Sequence, residues 1–138
     1  GVVKRLLITS ILSLSALSLT GCASVSPPTQ QQIESASYGA LPDDYQAQIK
    51  NTMSAMLKDP YSAQYTFLQP FKGYSQDGAW APSKGGVNYG WVAPVMVNAK
   101  NSYGGYTGAK RYVFIFSNSI LYDVTGNDAF GRVVPINQ

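Results

Sequence analysis

Apolar and polar positions divide this chain into three regimes. An apolar run from Leu6 to Leu19, interrupted by serines, follows a basic start at Lys4 and Arg5. From Ala23 to about Ala40 the chain is polar (Ser26-Pro27-Pro28-Thr29-Gln30-Gln31-Gln32) and has few large apolar groups to bury. Such a composition predicts a flexible tether. About 18 residues of coil would span roughly 25 Å by the square-root rule.

Periodicity begins after that. Pro42, Asp43 and Asp44 suit the first turn of a helix, where proline loses no needed N–H and carboxylates meet the positive end of the dipole. Tyr45, Ile49, Met53, Met56 and Leu57 then recur on one face of a 3.6-residue repeat, and Asp59-Pro60 ends it. From Ser62 the period is two: Ala63, Tyr65 and Phe67 alternate with Gln64 and Thr66. Gly73 to Gly86, rich in Gly and Ser and holding Trp80, reads as a long loop.

Val87 to Ala99 alternates without a break and is the longest strand signal. Pro94 lies within it and has no N–H for a ladder, so the strand is expected at an edge or bulged there. At an edge, the even positions Val92, Pro94 and Met96 would show a small apolar patch, and Pro94 would guard it against pairing with another chain. A Gly/Tyr/Asn-rich connection follows, from Lys100 to Ala109. Arg111 to Ser117 is apolar on both faces, as a central strand is. Ile120 to Val124 and Val133 to Ile136 close the list of apolar pieces. One helix followed by strands predicts an α+β domain over 41–138, an amphipathic N-terminal helix packed on a small antiparallel sheet of three to five strands.

The chain's single cysteine, Cys22, stands where the first two regimes meet, in Leu19-Thr20-Gly21-Cys22. The run upstream is shorter than the about 20 apolar residues of a membrane-spanning helix. This segment resembles the lipobox of bacterial lipoproteins. The resemblance implies a signal peptide over 1–21, cleavage between Gly21 and Cys22, diacylglycerol on the Cys22 sulfur and a further acyl chain such as palmitate on its amino group. Ala23, in place of the aspartate that retains such proteins in the inner membrane of enteric bacteria, implies the outer membrane, with the domain facing the periplasm. Residues 22–40 would then be the lipidated cysteine and its tether. Two or three acyl chains hold effectively for good, whereas one holds marginally.

Composition changes the functional picture mainly by exclusion. Of 10 basic and 7 acidic residues, Lys4 and Arg5 belong to the signal segment, so the remainder is close to neutral and no nucleic-acid partner is expected. There is no histidine, which removes the commonest general base and zinc ligand. With Cys22 acylated, no thiol nucleophile remains. Most of the aspartates fall at turns or helix ends, and the Asp123–Asp128 spacing is not that of a calcium loop. No catalytic residue, metal site or cofactor is expected.

The candidate chemistry is therefore recognition. Val97 to Gly108 combines glycines with Tyr103 and Tyr106 near Lys100, Lys110 and Arg111. Together with Asp59-Pro60-Tyr61-Ser62-Ala63 it resembles small uncharacterised lipoproteins of proteobacteria. Aromatics beside cations stack on sugars or seat protein partners. Equally, the tyrosines can fold back to cap the sheet while the glycines make the turn. The expected contact set is Tyr103, Tyr106, Lys110 and Trp80. The expected partner is an envelope protein, or alternatively envelope glycan or peptidoglycan.

Overall fold

The computed structural model describes residues 24–136. The expected signal segment over 1–21, its cleavage site and Cys22 lie outside the described residues. Along the chain, α1 (Gln30–Ser35) and α2 (Tyr45–Met56) precede a 3₁₀ turn at Pro60–Ser62. Then come β1 (Gln64–Phe67), β2 (Phe71–Gln76), β3 (Val87–Asn98), β4 (Lys110–Ser117), β5 (Ile120–Asp123), α3 (Thr125–Ala129) and β6 (Val133–Pro135).

This corrects the expected fold. The architecture is mainly a six-stranded antiparallel sheet with three short helices, not one helix on three to five strands. The order is β5-β4-β3-β2-β6, with β1 also paired to β3. Two causes account for the miscount. Gly73 to Gly86 is expected as loop, but its first four residues belong to β2 (Phe71–Gln76), and a Cβ at Gly73 would collide with the Val134 carbonyl oxygen. The glycine marks close approach of β6 rather than a turn. The second cause is α1, which lies within the stretch that composition marks as a tether.

β3 is the centre of the sheet, so the edge assignment for Pro94 is also corrected. One side of β3 pairs with β4 from Trp91 to Val97. Along the other side run β1, opposite 95–98, and β2, opposite 87–92. Residues 68–70 of the incoming chain therefore face only Ala93 and Pro94, which is a bulge by one residue. Leu68 N–H donates to the Pro94 carbonyl at 3.1 Å, and the missing proline N–H falls where the ladder is interrupted. The bulge also reverses alternation: Tyr65 and Phe67 of β1 share a face with Lys72 and Tyr74 of β2.

Both faces of the sheet are covered. Ile49 and Met53 of α2 are fully buried against Ala93, Val95, Val97, Phe114 and Phe116. Burying side chains of that size is worth about 1.5–3 kcal/mol each. The helix begins after a turn in which Tyr45 N–H donates to the Pro42 carbonyl at 3.1 Å, three residues later than its sequence signal. On the opposite face Val92, Val113, Ile115 and Val124 form a second cluster, flanked by Phe71 and Val133.

Residues 24–40, expected as a flexible tether, lie against the sheet. Thr29 and Gln32 close a reciprocal capping box that starts α1. Tyr38 meets Tyr89 edge to face at 5.8 Å and donates its hydroxyl proton to the Ile33 carbonyl at 2.7 Å. Trp91 Nε1–H donates to the Gly39 carbonyl at 3.2 Å. Further out, the Ser26 carbonyl accepts from Gln76 Nε2 at 2.8 Å. The packed unit therefore extends well before residue 41.

Candidate functional site

The two ends of β3 carry two different surfaces. The strand has 12 residues, and at about 3.3 Å per residue its ends lie roughly 36 Å apart. The β3–β4 connection leaves one end and the β2–β3 loop leaves the other. Tyr103, Tyr106 and Lys110 belong to the first and Trp80 to the second, so the expected four-residue contact set is not assembled.

At the β3–β4 end, two asparagine side chains replace a simple glycine turn. Asn101 Oδ1 accepts from the N–H groups of Tyr103 at 2.9 Å and Gly105 at 3.2 Å. Asn98 Oδ1 accepts from Gly108 N–H at 3.1 Å. Lys100 and Tyr106 form a bridge across the base of the loop. The two tyrosines then diverge. Tyr106 folds back, its hydroxyl donating to the Ser62 carbonyl at 3.0 Å, with the Lys100 ammonium 5.5 Å above its ring. Tyr103 projects with 95% of its surface exposed.

Beside this loop is a groove of about 180 Å³, bordered by Lys58 from the end of α2, Lys100, Lys110, Met56, Val97 and Tyr112. No carboxylate lines it. Among the described residues the ion pair present is Arg111–Asp128, 3.0 Å, which leaves these three lysines without acidic partners. The groove is positive at its rim and partly apolar at its floor. Lys58 is not legible as part of it from sequence, because β1, β2 and β3 separate it from Lys100 in chain order.

The other end of β3 holds an open groove of about 480 Å³. Trp80 and Phe130 stand at its rim, 90% and 75% exposed. Its polar side is a connected network. Asn127 Nδ2 donates to Ser75 Oγ at 2.9 Å and to Asp77 Oδ1 at 3.0 Å. Ser83 Oγ–H donates to Asp77 Oδ2 at 2.7 Å. Arg132 donates from Nε to the Gln76 carbonyl at 2.9 Å and from Nη2 to Asn127 Oδ1 at 3.2 Å. The hydrogen bonds from Ser83 and Asn127, with the positive charge of Arg132, hold the Asp77 carboxyl below the usual carboxylate value. Ser24 and Val25 line the same groove. Phe130 is the residue sequence reading passes over; its signal is a lone aromatic among Gly, Asn, Asp and Arg.

The remaining titratable features are structural. Burial raises the Tyr38, Tyr65 and Tyr89 phenols, with Tyr89 adding to Tyr38 and Tyr74 to Tyr89. Asp123 caps the next turn, accepting from Thr125 N–H at 3.0 Å and Oγ1–H at 2.7 Å. Among the described residues no cluster of three His, Cys, Asp or Glu side chains is arranged to hold a metal ion, and no helix is long and apolar enough to cross a membrane. No protein-family model, curated protein or solved structure matches this chain.

Proposed function

We propose that this chain is an outer-membrane lipoprotein, acylated on Cys22, whose folded domain is a non-enzymatic interaction module facing the periplasm. Its contact surface is the β3–β4 end. The observation that supports this most is the separation of ends: Ser24 lines the groove at the start of β3, while Tyr103 and the groove of Lys58, Lys100 and Lys110 lie beyond its finish. A chain anchored just before Ser24 thus presents these groups away from the lipid. Three ammonium groups without acidic partners among the described residues, over a partly apolar floor, suit a partner with acidic residues beside apolar ones. The exposed Tyr103 ring adds a face for stacking.

The experiment is photo-crosslinking in the living cell from a benzoylphenylalanine at position 103, with Lys58, Lys100 and Lys110 intact or changed together to glutamine. A discrete protein adduct that weakens at least about tenfold in the triple variant, as loss of three charge pairs of about 0.5 kcal/mol or more each implies, supports the reading. Adducts to sacculus fragments would favour the glycan alternative. Acylation is tested separately. Globomycin should leave a precursor, and Cys22→Ala should abolish labelling by an alkyne fatty acid; normal processing in both would remove the anchor.

A further inference from the structure

The groove at the start of β3 is unused by the contact surface just described. Resting on the reading of Cys22 as the lipid anchor, we propose that the Trp80–Phe130 rim docks on the phospholipid bilayer beside the anchor and fixes the orientation of the domain.

Three observations carry this. Ser24 and Val25 line the groove whose rim is Trp80 and Phe130, and Cys22 is two residues before Ser24. Two residues of extended chain reach about 7 Å at most, so an anchor at Cys22 keeps the membrane close to this groove. Second, both rings are largely exposed, Trp80 most of all. Large exposed aromatics next to one another are unfavourable in water, and indole in particular collects at the headgroup level of bilayers. Third, the charges at the rim suit a phosphate layer. Arg132 has its guanidinium 5.1 Å from the Phe130 ring, and two of its N–H groups are spent inside the protein. Among the described residues no hydrogen-bond partner takes up its Nη1, which can meet lipid phosphate, and Lys84 is exposed on the same loop as Trp80. The acidic group there, Asp77, is occupied by Ser83 and Asn127. With this rim on the membrane, β3 points its far end outward.

Cys22 is the chain's single cysteine, so the chain from Cys22 onward can be coupled through its sulfur to a maleimide phospholipid in phosphatidylethanolamine/phosphatidylglycerol vesicles, whatever the cell does to that residue. Trp91→Phe makes Trp80 the sole reporter. Docking predicts a blue-shifted Trp80 emission relative to uncoupled protein, quenching by bromine-labelled acyl chains, and loss of most acrylamide quenching. Adding Phe130→Ser should reduce the shift. In a Trp80→Phe background, Trp91 emission checks that Phe130→Ser leaves the fold intact. A Trp80 that stays water-exposed and fully quenched by acrylamide on coupled vesicles overturns the proposal. Emission shifted equally by coupling to a single lipid in detergent would also overturn it, since the rings would then be covering the protein's own acyl chains. The mass of the cell-derived protein reports separately on whether Cys22 is acylated.

Discussion

Asp77 shows how a single solvated residue organises a loop. It receives hydrogen bonds from Ser83 within its own loop and from Asn127 after β5, joining two segments that chain order keeps apart. Its folded carboxyl is lowered, so its stabilisation is fully present above the unfolded value of 3.8 and is lost as pH falls through the folded one. Asp77→Asn should therefore be less stable than the parent at neutral pH, by about 1 kcal/mol at most because surface charge interactions are screened. The gap should close in acid. Urea unfolding of both proteins across a pH series checks this, and a gap that persists unchanged into strong acid would contradict it. Gly90 makes a different point about single residues. A Cβ there would run into the Phe116 carbonyl, so the glycine is required by the closeness of β3 and β4 and not by any turn.

Among the elements, β3 determines most of the rest. Its pairing with β4 on one side and with the bulged β1–β2 run on the other buries Val92, Ala93, Val95 and Val97 completely or nearly so. Pro94 sits inside this arrangement. Replacing it with valine would supply an N–H toward Leu68, the residue whose own N–H already donates to the Pro94 carbonyl. Pro94→Val should then leave the domain as monodisperse as the parent and shift stability by no more than about 1 kcal/mol, the size of one net hydrogen bond. Sedimentation at matched concentration checks the first and urea unfolding the second. Self-association of the variant would contradict a central position for the strand. The bulge itself has a sequence signature, Pro70 between β1 and β2 and Pro94 on the strand they flank, but the two prolines acquire that meaning only once the strands are known to be adjacent.

For the molecule as a whole, the segment before α2 completes the cover of the sheet. Tyr38 meets Tyr89 edge to face and lies 5.9 Å from the Lys72 ammonium, while Ser37 Oγ–H donates to Asn118 Oδ1 at 2.8 Å. Were residues 24–40 a free linker, Tyr38→Ala would cost nothing. With the ring half-buried, the expected loss is about 1.5–2 kcal/mol, read as a lower urea midpoint with an unchanged slope. The same packing brings the start of the described chain to the Trp80 groove, which is what gives the domain two distinct ends.

Sequence alone determined the local features whose cause is local. The face of Ile49 and Met53 is set by helical spacing, the run of β3 by alternation, and the two buried faces of β4 by Phe114 and Phe116 opposing Val113 and Ile115. Tertiary structure decided the rest, because the causes lie in other parts of the chain. Gly73 reads as a loop residue until Val134 is beside it, Pro94 reads as an edge until β1 and β2 lie along it, and a polar stretch reads as a linker until Tyr89 and Trp91 offer it a surface. The contact set divided for the same reason. Trp80 and Tyr103 are only 23 positions apart in the chain, but a fully extended strand lies between their loops and holds them at opposite ends.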